Sequence, residues 1–130
     1  MNRKVSVAPM MDCTDRHERF FLRLISKNTL LYTEMIVDEA INRGDKKKLL
    51  EFNINEKPVA LQLGGSSPNL LAEATKAGED FGYDEINLNL GCPSKKVEKN
   101  KFGACLMKEP NLVADCLNKM QSVTKLPVTI

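Results

Sequence analysis

The segment Gly91-Cys92-Pro93-Ser94 directly follows a run in which Glu85, Asn87 and Asn89 alternate with Ile86, Leu88 and Leu90. Strand side chains change face at every residue, so the polar set shares one face and the aliphatic set the other. Interior amides are costly unless each finds a hydrogen-bond partner in the protein or in a ligand. An ordinary thiol has a pKa of about 8.5 and is mostly protonated at neutral pH. A cysteine just past the strand end, held between glycine and proline, is therefore placed to give a proton to a ligand above the sheet. The competing reading is a small packing residue, the commonest fate of a free cysteine. Gln62 repeats the pattern one apolar run earlier, pointing opposite to Leu61 and Leu63.

Lys95, Lys96, Lys99 and Lys101 follow Cys92, with only Glu98 to offset them. Such a loop beside a site either holds a phosphate backbone or is simply solvated. Lys46-Lys47-Lys48 reads as a wet helix start. His17, after Asp15 and Arg16, reads as an exposed or capping residue. Gly64-Gly65-Ser66 matches neither the dinucleotide fingerprint nor the P-loop, and is read as a tight strand–helix turn. Cys105 and Cys116 lie in apolar helical contexts, and Cys13 in the first strand–helix loop. All three are read as packing residues.

Short apolar runs position these residues: Val5–Pro9, Leu30–Met35, Pro58–Leu63, Glu85–Leu90 and, at the end, Pro127–Ile130. Helical spacing fills the gaps. A helix over about Thr14 to Ser26 is expected to turn Phe20, Phe21, Leu24 and Ile25 inward. Ser67 and Pro68 open a second helix with Leu70, Leu71, Ala74 and Ala77 on one face, closed by Gly82. Pro110 opens a third, striped by Val113, Cys116, Leu117, Met120 and Val123. This α/β alternation builds a parallel sheet covered by helices, either doubly wound or a (β/α)8 barrel. A complete barrel typically needs about 250 residues, so the chain would supply its N-terminal half. Residues 1–130 then form one partial domain whose last strand is cut short.

Composition fits a soluble globular domain, with 42% apolar and 28% charged residues and a net charge of +2 over 130 residues. That charge is too small to establish nucleic-acid binding by itself. No apolar run is long enough for a signal peptide or a membrane span, which implies a cytoplasmic location. Four cysteines without a C-x-x-C pair and a single histidine give no support to a metal site. Free thiols are expected.

Ala8-Pro9-Met10-Met11-Asp12, Tyr32-Thr33-Glu34-Met35, Ala60-Leu61-Gln62-Leu63-Gly64-Gly65 and Asn87-Leu88-Asn89-Leu90-Gly91-Cys92-Pro93-Ser94 together resemble the tRNA-dihydrouridine synthases. Thr14-Asp15-Arg16-His17 and Phe102-Gly103-Ala104-Cys105-Leu106-Met107 make the chain most similar to the A subfamily. The resemblance runs from about Val5 to the last residue. It implies an FMN-binding (β/α)8 barrel with NADPH as electron donor and tRNA as partner, followed by a small helical domain outside this sequence. It also implies that Pro9, Met10 and Met11 lie on the flavin, that Gln62 bonds the isoalloxazine ring, that Asn89 contacts the bound uridine and that Cys92 is the proton donor. Lys95, Lys96, Lys99 and Lys101 would then meet the tRNA backbone. Cys13 stands where the subfamily often has an aromatic residue.

The same resemblance implies a flavin-binding lysine, a histidine and a phosphate site further along than Ile130. The 130-residue chain alone is thus expected to be inactive, its inner sheet face exposed as an apolar patch. The rival readings are an FMN-dependent barrel reducing a free pyrimidine or an enone, and a non-catalytic fragment.

Overall fold

The computed structural model describes residues 4–130, apart from the side chain of Lys96. Six parallel strands form its sheet: β1 (Ser6–Val7), β2 (Leu30–Tyr32), β3 (Ile36–Val37), β4 (Val59–Gly64), β5 (Glu85–Leu88) and β6 (Val128–Thr129). Their order is β1-β2-β4-β5-β6, with β3 also paired to β4. The helices are α1 (Arg16–Ile25), α2 (Asp38–Arg43), α3 (Lys46–Leu50), α4 (Pro68–Phe81), α5 (Lys95–Lys99) and α6 (Pro110–Gln121). Strand–helix alternation with parallel pairing bears out the α/β expectation. None of the described helices is long and apolar enough to cross a membrane.

The core lies between the sheet and α4 and α6. Leu61, Leu63, Ile86 and Leu88 project from β4 and β5 onto Leu71, Ala74 and Ala77 of α4 and Cys116 and Met120 of α6. The leucines named here are fully buried, each contributing about 1.5–3 kcal/mol over an exposed position. Gly78 sets the helix–sheet distance, since a Cβ there would stand 2.7 Å from both Ile86 Cδ1 and Leu61 Cδ2. α4 ends at Gly82, which takes the left-handed conformation with φ 90°, as its position after the apolar stripe anticipated.

Three expectations are corrected. The run Leu30–Met35 is not one strand: it breaks after Tyr32, where Thr33 turns its hydroxyl to accept from the Gln62 backbone amide at 3.0 Å, and pairing resumes with β3. The lysine loop is partly helical, because the Ser94 hydroxyl caps α5 by accepting from Val97 N at 3.3 Å.

The largest correction concerns α1. Its buried residues are Arg19 and Arg23, while Phe21, Leu24 and Ile25 are 60%, 72% and 69% exposed, with Phe20 exposed as well. Arg19 Nε donates to Glu56 Oε2 at 2.7 Å and Arg19 Nη1 to Thr14 O at 2.7 Å. Arg23 Nη2 donates to the carbonyls of Glu56 and Pro58, each at 2.9 Å. A guanidinium offers five fixed donors, and Glu56, at the end of the turn Ile54–Glu56, presents both its carboxylate and its carbonyl to receive them. Apolar periodicity identified the helix correctly but not the face that these charge-assisted bonds turn inward.

Candidate functional site

Strand register assembles the site. Gln62 lies opposite Asn87, and Asn87 opposite Thr129, so one row crosses β4, β5 and β6 on the face away from the helices. Gln62 Nε2 donates to Asn87 Oδ1 at 2.8 Å, and Asn87 Nδ2 donates to Thr129 Oγ1 at 2.9 Å. A row below, Glu85 Oε1 accepts from Tyr32 Oη at 3.0 Å and from Thr129 Oγ1 at 2.6 Å. The interior face is therefore polar, and the amide requirement raised by the sequence is met by side chains of the protein. Between β4 and β6 this departs from the expected apolar inner patch, although Met10, Met35, Leu90 and Ile130 also line the cleft above. Large apolar side chains are exposed elsewhere, Phe20, Phe21, Leu24 and Ile25 of α1 among them.

Asn89 extends the network upward. Its Nδ2 donates to Gln62 Oε1 at 3.0 Å, and its Oδ1 accepts from the backbone N–H groups of Gly91 at 3.3 Å and Cys92 at 3.0 Å. The Cys92 carbonyl accepts from Ala104 N at 3.0 Å. Gly103, with φ 70°, permits this approach, since a Cβ there would fall 2.7 Å from that carbonyl. Cys92 is consequently held through both its N–H and its carbonyl, with its side chain half-buried. The part played by Gly103 and Ala104 went unread in the sequence, although Gly103 could have been flagged as a position needing positive φ.

Pro9, Met10 and Met11 form the loop after β1. Thr14 fixes it, with Thr14 N donating to Met10 O at 2.9 Å and Met10 N donating to Thr14 Oγ1 at 3.0 Å. Asp12 follows in the left-handed region at φ 62°, a conformation that aspartate tolerates better than most residues, and its N–H donates to the Glu34 carboxylate. Met10 and Met11 are left 58% and 52% exposed. Pro9, Met10, Met11, Gln62, Asn89 and Cys92 all line one cleft of about 660 Å³ at the C-terminal ends of the strands. The residues singled out from sequence for cofactor, base and proton thus face a common space.

Lys95 and Lys99 stand exposed on α5, and Lys101 follows, exposed, with φ 57°. Lys96 lies on the same helix, its side chain outside the described part. His17 is exposed, as expected. Asp15 caps α1 by accepting from His17 N and Glu18 N, each at 2.9 Å. The Glu18 amide in particular holds the Asp15 carboxyl below its ordinary range. Cys116 is buried in the core, where burial pushes its thiol up. Cys105 donates its thiol to Phe102 O at 3.1 Å. Cys13 is exposed, against the packing expectation, in the turn where its N–H donates to Met10 O at 3.1 Å. Among the described residues no group of three or more His, Cys, Asp or Glu is arranged to hold a metal ion.

Comparison with known proteins gives a match to the family model described as dihydrouridine synthase over residues 6–130. The chain is 60% identical over 126 residues to the tRNA-dihydrouridine(20/20a) synthase of Synechocystis sp., covering 97% of this chain and 38% of that protein. It is 56% identical over 127 residues to the Xanthomonas campestris protein of the same name, covering 98% and 38%. The Escherichia coli protein of that name is 58% identical over 127 residues, covering 98% and 36%. The chain therefore spans under two fifths of the length of these relatives.

Proposed function

Because the chain belongs to the dihydrouridine synthase family, as the N-terminal part of its (β/α)8 barrel, we propose that the full protein reduces uridines in tRNA to 5,6-dihydrouridine. The observation that carries this reading is the suspended Cys92. Its backbone is tied to Asn89 and Ala104, and it opens onto the same cleft as Gln62 and the Pro9–Met11 loop.

The cleft fits a flavin on its own chemistry. A flat heteroaromatic ring requires an apolar strip for one face and amides for its polar edge. Met10 and Met11 supply the strip, and Gln62 retains a second Nε2 hydrogen beyond the one given to Asn87. FMN bound here, reduced by NADPH, would supply the hydride that reaches C6 of the uracil.

The remaining work falls to residues of this chain. A uridine must leave its stack to enter the cleft, which costs least in a loop. Asn89 fixes the height of the Cys92 loop and lies within reach of the base. Cys92 gives its proton to C5 as general acid and recovers one from solvent, so that hydride and proton together saturate the C5–C6 bond. Lys95, Lys96, Lys99 and Lys101 meet the phosphates of the same strand. Such a substrate would be met in the cytoplasm.

The test is product analysis with the full-length protein, NADPH and an unmodified tRNA transcript. Dihydrouridine should form in the transcript, and free uracil should remain unreacted. Reduction of free uracil or an enone, with no change in the transcript, would make the protein a small-molecule reductase.

A further inference from the structure

A second cavity, of about 640 Å³, lies across Met11, Met35 and Cys92 from the cleft. Its size falls within the roughly 300–1,000 Å³ typical of ligand sites. Val37, Leu70, Val97 and Phe102 give it apolar walls, and its polar lining includes Asp38, Ser66 and Ser67 together with Asp12, Glu39 and Asn100. Asp38 is only 3% exposed. Its Oδ1 accepts from Glu39 N at 2.7 Å, but its buried Oδ2 has no hydrogen-bond partner among the described residues. A buried acceptor left unsatisfied is costly, and most such groups in native proteins are satisfied once their partner is present. Gly65 makes the arrangement possible, since a Cβ there would collide with that oxygen.

We propose that this cavity receives the base of a nucleotide adjacent to the target uridine, with an N–H of that base donated to Asp38. The inference rests on the tRNA reading above. It draws on the shared wall: two cavities that both border on Met11, Met35 and Cys92 suit successive nucleotides of one unstacked strand. Flat bases bind between apolar side chains with few polar contacts to fix them. Asp38 supplies such a contact, and Lys95 and Lys99 lie on the α5 helix that also bears Val97 of the cavity wall. Burial holds the Asp38 carboxyl above its ordinary range, and an N–H donated to Oδ2 would offset part of that desolvation.

The experiment uses the full-length enzyme and transcripts abasic at the position just before or just after the target uridine. One of the two abasic transcripts should lose about tenfold or more in kcat/KM with wild-type enzyme. That loss should shrink to under about twofold in Asp38→Asn, which keeps an acceptor for Glu39 N but places an NH2 where Oδ2 was. Ser66→Phe, which fills the cavity from its rim, should lower kcat/KM on the intact transcript without changing flavin content. Equal turnover of all transcripts, the same abasic penalty in Asp38→Asn, or a fully active Ser66→Phe would each overturn the proposal. If wild-type enzyme does not reduce even the intact transcript, the tRNA reading falls and this inference with it.

Discussion

The side-chain Oδ1 of Asn89 accepts the backbone N–H of Cys92 at 3.0 Å, while its Nδ2 donates to Gln62 Oε1 at 3.0 Å. One amide thus joins the residue proposed for the cofactor to the one proposed for the proton. Asn89→Asp keeps the acceptor for the Cys92 loop and removes the donor to Gln62, whereas Asn89→Ala removes both. In the full-length enzyme, Asn89→Ala should slow uridine reduction by on the order of 100-fold, the scale expected of a misplaced reacting group. Asn89→Asp should be affected less. Reduction of the flavin by NADPH, followed by stopped-flow absorbance, should stay within about twofold for both. Indistinguishable variants would mean that the bond to the Cys92 loop is unimportant.

Cys92→Ala separates the two half-reactions. In the proposed reaction the thiol is needed only when C5 accepts its proton, so NADPH should still bleach the flavin at the wild-type rate. Reoxidation by tRNA should fall by about 10²–10⁴, the usual contribution of a general acid. Equal loss in both steps would count against the role.

Replacing Lys95, Lys96, Lys99 and Lys101 by glutamine should weaken tRNA binding and flatten its salt dependence, by about 0.7 in slope for each phosphate no longer neutralised. Filter binding across a salt series measures this. An unchanged slope would return these side chains to ordinary solvation, and flavin content should not move in either case.

The amide row was legible because strand alternation is rigid: once Ile86 and Leu88 are assigned to the helices, Asn87 and Asn89 have nowhere to point but inward. The same rule placed Gln62. What the sequence did not disclose were pairings between residues far apart in the chain. Arg19 and Glu56 meet across the turn Ile54–Glu56, and nothing in local periodicity announces that a guanidinium will displace Phe21 from the inner face. Asp38 was equally silent. Its burial depends on Gly65, in a turn whose local sequence shows only that it is tight.

Asp38 also carries a pH signature. Burial, outweighing the bond from Glu39 N, raises its pKa above the ordinary 3.8. A carboxyl raised in the folded state favours folding when protonated. Its contribution is fully present below about 3.8 and is lost as pH rises through the folded value. Asp38→Asn is neutral throughout. Its melting temperature relative to wild type should therefore climb as pH rises from below about 3.8 towards neutrality. A difference independent of pH would place the charge in a better-solvated setting than its burial implies.

The last prediction concerns a polypeptide of residues 1–130 on its own. In the described structure β1 and β6 each pair along one edge only, and unpaired strand edges invite association. Phe20, Phe21, Leu24 and Ile25 add an exposed apolar stripe on α1, and Val5 and Ile130 are 65% and 66% exposed. Contiguous apolar surface of this kind rarely stays uncovered in a monomer. The buried core between β4, β5, α4 and α6 is independent of both features, so helical circular dichroism should persist. Light scattering should nevertheless show concentration-dependent oligomers, and Phe21→Glu with Leu24→Lys should shift them towards monomer. With Pro9–Met11 and Gln62 as its proposed contacts on this chain, FMN should bind weakly and tRNA should not be reduced. A monodisperse yellow monomer that forms dihydrouridine would show that these residues suffice for both binding and catalysis.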